Sequence, residues 1–329
     1  MRMVVGSVLS PSDLMTSTKL PQVQIDLPGS FVLQQRRLER LIRLLRPLFE
    51  LEEPASIVVD LSRLVSIGPT ALALLISALR RVDEAELIGE GSSLVPPRSP
   101  QVKYYLMRMN LIRSLVGGEE LPEPITRRRT HGFRPCEMFS DDTDYWRVSK
   151  ALSEALNESC RTDEIARSAV LVCLSEITEN VIHHAEADHG FGAAQGWKKT
   201  SQFEIGIVDL GRGVRASLTA NPDYADINDD ASAISTALDA RVTSTPDRNS
   251  GIGLYITRRL LAANGGSLLV RSGYGAVYSG SSDEVRTEAD FMPGTLVALR
   301  ARTDRPLDIN AVYQQLENDH PNPTSDDDD

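Results

Sequence analysis

The stretch Glu176-Ile-Thr-Glu-Asn180-Val-Ile-His-His184 constrains this chain most, because it repeats a polar residue at every fourth position of a run that otherwise predicts a buried helix. At about 100° per residue, Glu176, Asn180 and His184 share one helical face. Such a face can position a metal, a phosphate chain and a water, although a polar face that only meets solvent is the alternative. A separate apolar stripe suits packing on a sheet: Val170, Leu174, Ile177 and Val181.

Two glycine-containing motifs lie downstream of this helix. Asp209-Leu-Gly211-Arg-Gly213 directly follows a predicted apolar strand at 203–208, and Ser250-Gly251-Ile-Gly253-Leu254 directly precedes a predicted helix at 252–263. Glycines let the backbone approach a ligand closely, and a helix N-terminus offers N–H groups and partial positive charge to phosphates. Either motif alone is also compatible with an ordinary turn. Together, and in this order after the polar helix, they predict a site for a phosphate-bearing ligand.

Two other phosphate-binding motifs fit the sequence less well. The P-loop pattern G-x-x-x-x-G-K-[ST] does not occur. Gly211-Arg-Gly213-Val-Arg-Ala216 matches the dinucleotide pattern G-x-G-x-x-A after a strand. The residues that follow reach Pro222 and acidic, polar sequence, instead of a helix and a second apolar strand that ends in Asp or Glu. A Rossmann-type site therefore stays the weaker alternative.

On these three motifs, residues 141–302 resemble the GHKL ATP-binding domain, the fold shared by gyrase, a heat-shock chaperone, histidine kinases and a mismatch-repair protein. The resemblance covers about half of the chain. It implies an α/β sandwich of the Bergerat type, with helices packed on a mixed sheet, and it implies ATP and Mg²⁺ as ligands and a mobile lid at 214–250. The spacing E-x-x-x-N-x-x-x-H is the version typical of anti-sigma-factor serine kinases.

The resemblance also implies a role for each motif residue. Glu176 would be the general base that activates a water or an acceptor hydroxyl, and Asn180 would help to hold Mg²⁺ against the triphosphate. Asp209 would accept a hydrogen bond from the adenine amino group. The other implied nucleotide-binding residues are His184 as a brace of the pocket, Gly211 and Gly213 along the base, Gly251 and Gly253 at the phosphates, and Thr295 in support of the adenine contact. Cations are available for the phosphates, but no spacing places one there: Lys198, Lys199, Arg241 and Arg248.

The first half of the chain, 21–118, carries a second resemblance. Val58-Val-Asp-Leu-Ser-Arg-Leu-Val-Ser-Ile-Gly68-Pro69-Thr70 is similar to a STAS domain of the anti-sigma-factor-antagonist type. That family carries Asp-Ser-Ser/Thr-Gly-Leu at this turn, and its first serine is phosphorylated. Here Gly68 and Pro69 stand at the Asp and serine positions, and only Thr70 keeps a hydroxyl. The resemblance therefore implies a degenerate docking or dimerisation module.

The sequence divides into five predicted segments. They are an N-terminal segment 1–20, a STAS-like α/β domain 21–118, a linker 119–140, a GHKL domain 141–305 and a disordered acidic tail 306–329. Within the STAS-like domain we predict strands at 23–27, 57–61 and 85–89. The linker contains three consecutive arginines, Arg127, Arg128 and Arg129. The linker is rich in Pro and Arg without a sustained period, and the tail ends in four Asp residues.

Composition excludes several classes of protein. The formal net charge of −11 falls to −4 without the seven acidic residues that follow Arg305, and general nucleic-acid binding is not expected. Three cysteines without C-x-x-C spacing argue against a disulfide framework or a structural zinc site. The longest strongly apolar run, 71–79, is too short to span a bilayer, and we find no signal pattern. These features predict a cytoplasmic protein.

These expectations combine into an ATP- and Mg²⁺-binding regulator that phosphorylates or switches a protein partner, in the manner of anti-sigma-factor serine kinases. The partner would be a sigma-factor-like or STAS-type regulator, and a homodimer is left open. The alternatives are a slow ATPase that changes shape without a phosphoacceptor protein, and an ATP-binding scaffold. A sensor histidine kinase is not expected, because His131 is followed by Gly132 and Phe133 instead of an acid.

Overall fold

Three sheets organise the described part of the chain, two small ones in its first half and a five-stranded one in its second half. The computed structural model describes residues 20–111, 132–160, 162–242, 251–280 and 284–319. The predicted N-terminal segment up to residue 19, most of the predicted linker, and residues 320–329 of the predicted tail lie outside these ranges. We refer to 20–111 as the N-terminal unit and to 132–319 as the C-terminal unit.

The N-terminal unit is built around parallel strands. Its elements are β1 (Gln22–Asp26), β2 (Gly29–Phe31), α1 (Gln35–Phe49), β3 (Ser56–Asp60), β4 (Leu64–Ile67), α2 (Pro69–Glu84), β5 (Ser93–Val95) and α3 (Pro100–Arg108). The strands pair in the order β1-β3-β5, with β2 and β4 as a separate parallel pair. The predicted strand at 85–89 is reduced to a single parallel bridge between Ile88 and Ala55, because α2 continues to Glu84 and Glu86 follows it with a left-handed backbone (φ 56°).

The C-terminal unit is an antiparallel sheet with helices on one face. Its elements are β6 (Phe133–Phe139), α4 (Asp142–Ser159), α5 (Glu164–His184), β7 (Gly190–Trp197), β8 (Gln202–Asp209), α6 (Gly213–Leu218), α7 (Asp230–Ala237), α8 (Gly253–Asn264), β9 (Ser267–Ser279), β10 (Glu284–Arg302) and α9 (Ile309–Asp319). The strand order is β6-β7-β8-β10-β9. The α/β class predicted from the sequence is confirmed, but the predicted mixed sheet is wrong for this unit, because every pairing among its described strands is antiparallel.

Helix α5 carries the polar face predicted from its spacing. The Asp163 carboxylate caps its first turn by accepting a hydrogen bond from the Ala166 N–H at 2.7 Å. The four residues of the predicted apolar stripe are buried against the sheet and the neighbouring helices: Val170, Leu174, Ile177 and Val181. Because this stripe fixes the rotation of the helix about its axis, Glu176 and Asn180 face the cavity described below.

Residues of both units form one of the two apolar clusters, so the two predicted domains are packed against each other rather than separate. On β8, Ile205 and Ile207 pack against the helices of the C-terminal unit, whereas Val208 belongs to a cluster that continues into the N-terminal unit. Helix α2 lies on this second face. A Cβ at Gly206 of β8 would lie 2.4 Å from the Thr70 Cα, which shows how closely the helix approaches the strand.

Two of the predicted segment boundaries are wrong. The predicted linker 119–140 ends in strand β6, which pairs with β7 at the edge of the sheet. The predicted disordered tail from residue 306 begins with helix α9, which is ordered because it buries Leu307, Ile309 and Val312 in the core of the C-terminal unit. No helix in the described ranges combines the length and the apolar character that a bilayer crossing requires.

Candidate functional site

A cavity lies where β8 ends, between helix α5 and the N-terminus of α8. Its volume is about 120 Å³, roughly ten times the space that one water molecule needs. The pocket is therefore sized for an organic ligand. Its wall collects residues from all three predicted motifs, namely Glu176, Asn180, Asp209, Gly213, Gly251 and Gly253, and it also includes Thr295.

Apolar residues between β8 and α8 complete the wall, and sequence reasoning did not assign them to the site. We call residues 213–242 the lid segment, which contains α6 and α7 and corresponds to the described part of the lid predicted at 214–250. Its contributions are Val214, Ser217, Leu218, Ile234, Ala237, Leu238 and Val242. The available signal was the apolar residues in and directly after the segment that forms α7, such as Ile234 and Leu238, which needed a surface to cover.

Asp209 is the most deeply buried carboxyl of the cavity wall. Its Oδ1 accepts hydrogen bonds from the backbone N–H groups of Gly211 at 2.9 Å and Thr295 at 3.2 Å. Burial raises the pKa of the Asp209 carboxyl to about 6, although these hydrogen bonds and one from the Thr295 hydroxyl oppose the shift. Near neutral pH the cavity therefore presents a buried hydrogen-bond acceptor whose position is fixed by two backbone donors.

Gly294 was missed by the sequence analysis, and it is needed for this geometry. Its φ is +70°, and a Cβ there would lie 2.3 Å from the Asp209 carbonyl oxygen. Its own carbonyl accepts a hydrogen bond from the buried Ser272 hydroxyl at 2.8 Å, and that hydroxyl accepts one from the Val214 N–H at 2.9 Å. Ser272 thereby links β9, β10 and the start of the lid segment. The motif Pro293-Gly-Thr295 was the signal that could have identified Gly294.

Glu176 contacts the second glycine motif directly. Its Oε2 accepts a hydrogen bond from the Gly253 N–H at 2.7 Å, and a Cβ at Gly253 would lie 2.5 Å from that oxygen. Glycine is therefore required where α8 begins. The preceding N-cap residue, Ile252, has no side-chain acceptor for the N–H groups of the first turn. Gly251 has a left-handed backbone, with φ +64°, as the glycine motif led us to expect.

Two predicted site residues are not placed on the cavity wall. Gly211 lies against the end of α5, where a Cβ would be 2.0 Å from the Ala185 carbonyl oxygen. Its N–H positions the Asp209 carboxylate instead of lining the base pocket. The side chain of His184 lies outside the described part of the structure.

The candidate cations are distributed unevenly. Lys198 and Lys199 lie in the turn between β7 and β8, at the opposite end of β8 from Asp209. Arg241 is closer, since its backbone N–H donates to the Gly251 carbonyl oxygen at 3.0 Å. Arg248 lies outside the described ranges. Among the described residues of the cavity wall, the charged ones are the two carboxylates, Glu176 and Asp209.

Comparisons of the chain with protein-family models, with curated proteins and with solved structures each returned no match. Function is therefore inferred from the geometry and chemistry of the pocket.

Proposed function

We propose that the protein is an ATP- and Mg²⁺-binding regulator with a GHKL-type nucleotide site in its C-terminal unit and a degenerate STAS-like N-terminal unit. One observation carries this proposal: three segments that are distant in sequence, and that contain the three motifs, line a single cavity. They are the helix face of Glu176 and Asn180, the end of β8 at Asp209, and the glycines before α8.

Asp209 supports adenine as the base. An ionised carboxylate has about four lone-pair sites, so it can accept from a ligand in addition to its backbone N–H partners. An exocyclic amino group donates hydrogen bonds, whereas the carbonyl oxygen at the corresponding position of guanine can only accept them. The apolar residues around Asp209, such as Ile207, Val270 and Val297, suit the faces of a purine ring. We therefore infer that the site prefers adenine nucleotides to guanine nucleotides.

The N-terminus of α8 supports binding of the phosphates. Gly251 and Gly253 bring backbone close to the cavity, and the helix dipole favours negative charge at this end. Asn180 lies one helical turn beyond Glu176 and offers a carboxamide oxygen. Mg²⁺ prefers oxygen ligands and keeps several waters, so one side-chain oxygen with phosphate oxygens is a suitable set, and the bound ion would neutralise phosphate charge. No cluster of three or more His, Cys, Asp or Glu that could hold a metal by itself occurs within the described ranges.

Glu176 is the residue that we infer to act as general base. Its carboxylate lies at the junction between the polar face of α5 and the phosphate-binding end of α8, and the Gly253 N–H orients one of its oxygens. A carboxylate in hydrogen-bond reach of a water or a hydroxyl can take the proton that the nucleophile loses. The lid segment forms the apolar side of the cavity wall, and its closure over a bound nucleotide would limit the access of bulk water to the phosphates.

Calorimetric titration of the full-length protein with ATP, in the presence of Mg²⁺, tests the proposal. We expect binding of ATP and weaker binding of GTP, and we expect Asp209→Asn to reduce the affinity for ATP more than the affinity for GTP. Glu176→Ala should retain ATP binding and lose phosphate release. Absence of heat with ATP from folded wild-type protein would end the proposal, and phosphate release by Glu176→Ala at the wild-type rate would remove the base assignment.

The turn at Gly68-Pro69-Thr70 of the N-terminal unit does not offer an accessible acceptor for a phosphoryl group. Thr70 keeps the only hydroxyl of the Gly68-Pro69-Thr70 motif, and its side chain is buried where α2 meets β8. We therefore propose transfer to a separate protein, such as a sigma-factor-like or STAS-type regulator. Incubation of cell lysate with γ-labelled ATP distinguishes the two modes of action. A single labelled polypeptide indicates a kinase, whereas release of phosphate without labelling indicates an ATPase switch.

A further inference from the structure

Asp230, the first residue of α7, joins the lid segment to strand β9. Its Oδ2 accepts a hydrogen bond from the Tyr274 N–H at 2.8 Å, and its Oδ1 pairs with the Nε of Arg215 in α6 at 2.9 Å. Gly273 and Gly275 permit this close contact, since a Cβ at Gly273 would lie 2.3 Å from Asp230 Oδ2. One carboxylate, itself only 12% exposed, thus connects both lid helices to the bend at Gly273-Tyr274-Gly275.

Arg271 fixes the shape of that bend. Its side chain is fully buried, and its guanidinium donates hydrogen bonds to the carbonyl oxygens of Gly273 and Gly275. It also donates to the carbonyl oxygen of Asp290, where the pairing of β10 with β9 is interrupted by a bulge. A guanidinium has five N–H donors in a rigid fork, so one side chain can hold several backbone acceptors in a fixed geometry. The direction of the Tyr274 N–H therefore depends on Arg271.

The charge of Arg271 is balanced from the other unit. Glu39 of α1 accepts hydrogen bonds from Arg271 Nε at 2.7 Å and from Nη2 at 3.4 Å. A buried guanidinium is costly unless it is paired, so removal of the partner charge leaves Arg271 uncompensated. Arg43, one turn further along α1, also pairs with the C-terminal unit, at 2.8 Å from the Asp290 carboxylate, but its side chain is 67% exposed. The same helix thus makes one buried and one exposed ion pair with the hairpin of β9 and β10.

We propose that Glu39 and Arg271 are positioning residues of the pocket, through which the N-terminal unit holds the lid segment over the cavity. Docking of α1 fixes the Arg271 side chain, Arg271 fixes the bend, and the bend fixes Asp230 and the two lid helices. A change that lifts α1 from β9 therefore loosens the lid without altering a residue of the cavity wall. Only the expected change in nucleotide affinity rests on the proposed function, whereas the contacts that hold the lid segment do not depend on it.

Hydrogen exchange of the nucleotide-free, full-length protein tests this inference in Glu39→Gln. We expect amides of the lid segment in 213–239 to exchange about tenfold faster, which is the effect of losing one charge-assisted hydrogen bond. Amides of β8 should keep their protection, because β8 lies outside the chain of contacts. Affinity for ATP should fall by about the same factor. The matched control is Arg43→Gln, which removes an exposed ion pair from the same helix face and should leave both quantities unchanged.

Two outcomes would overturn the inference: unchanged exchange across the lid segment in folded Glu39→Gln protein, or an equal rise in β8 and in the lid segment. If Glu39→Gln does not fold, Asp230→Ala cuts the same connection at its other end and should accelerate exchange in the lid segment alone. Unchanged exchange in the lid segment of Asp230→Ala would also overturn the inference. Failure of the wild-type protein to bind ATP would contradict the proposed function, whereas the exchange measurement decides the role of Glu39 and Arg271 without nucleotide.

Discussion

Replacement of Asp209 by asparagine should stabilise the nucleotide-free protein at neutral pH, although it removes a residue of the proposed site. Burial raises the pKa of this carboxyl from 3.8 to about 6. A carboxyl whose pKa is raised by folding contributes stability below its unfolded pKa, and this contribution is lost as the pH rises through the folded pKa. The wild-type protein is therefore penalised above pH 6, where a buried charge must form. Asparagine has nearly the same shape and carries no charge.

The magnitude follows from the shift. Roughly 2 pKa units correspond to about 3 kcal/mol, at about 1.36 kcal/mol per unit. About half of this falls between pH 5 and pH 8, because at pH 5 the unfolded carboxyl is already largely ionised. The asparagine carbonyl can still accept from the N–H groups of Gly211 and Thr295, so the backbone contacts survive. The stability of Asp209→Asn relative to wild type should then rise by roughly 1.4 kcal/mol from pH 5 to pH 8.

Urea unfolding of both proteins at pH 5 and pH 8 measures this difference. Asp60 is a matched control, because it also ends a strand and accepts a hydrogen bond from the N–H two residues later, at 2.7 Å from Ser62. The hydroxyl and N–H of Ser62 lower the pKa of Asp60. Its contribution therefore has the opposite sign and is already complete at pH 5, where the carboxyl is ionised in both the folded and the unfolded state, so the stability of Asp60→Asn relative to wild type should stay constant between pH 5 and pH 8. A stability difference for Asp209→Asn that is independent of pH would refute the reasoning.

Three further predictions concern two closely packed glycines and the buried cysteines. Gly294→Ala should lower the free energy of unfolding in urea by more than about 1 kcal/mol and impair ATP binding, because φ at this position is positive and the new Cβ meets the Asp209 backbone. The control is Gly280→Ala, where the new Cβ meets only a flexible tyrosine side chain. Gly206→Ala should lower the midpoint of unfolding and increase binding of an apolar dye, because a Cβ there meets the backbone of Thr70 and separates the units. A thiol reagent at pH 8 should label none of Cys136, Cys160 and Cys173 in the native protein and all three in urea, because all three are buried and burial raises each thiol pKa, to about 12 for Cys160 and Cys173.

The wall of the cavity could be predicted because its signals are local. The rotation of α5 follows from Ile177 and Val181 on its apolar stripe, which directs Glu176 towards the start of α8. Asp209 ends a strand, and Gly213 after it has a left-handed backbone (φ 81°) that other residues rarely adopt. Each motif thus fixes its own short segment. That the segments meet does not follow from any one motif; it was implied by the resemblance of the three motifs to a known domain.

The strands β6 and β7 could not be predicted, because β6 falls in the predicted linker and the composition of β7 is not typical of a strand. Pro135 interrupts β6, which is possible because β6 is an edge strand and its pairing with β7 is irregular between Arg134 and Glu137. Strand β7 is rich in glycine, a residue with low β propensity. The structure supplies the reason, since a Cβ at Gly190 would lie 2.5 Å from the Phe139 ring. Tertiary packing, rather than local preference, decides both strands.

Helix α9 was hidden by its composition. Acidic residues after Arg305 indicated a disordered tail, yet the apolar residues among them recur at a spacing that places Ile309 and Val312 on one face. That face packs against α5 and α8, as does Leu307 just before the helix. The acids can remain in solvent while a few apolar side chains order the segment.

The turn at Gly68-Pro69-Thr70 departs from the STAS pattern for a reason that packing supplies. Strand β8 reads Phe203-Glu-Ile-Gly-Ile-Val208, and both faces of it are buried, so the face that includes Glu204 must meet another element. That element is the start of α2: the Glu204 carboxylate accepts a hydrogen bond from the Thr70 N–H at 3.2 Å, and a Cβ at Gly68 would lie 3.0 Å from the same oxygen. The Glu204 carboxylate thus already binds at the positively polarised N-terminus of α2. An anionic group on the turn itself would compete with Glu204 for the same N–H groups. Residue 68 must therefore be small, and an acid at that position would place two carboxylates against each other in a buried interface. The unit that resembles a phosphorylated partner is in this chain a fixed cover for the sheet of the pocket.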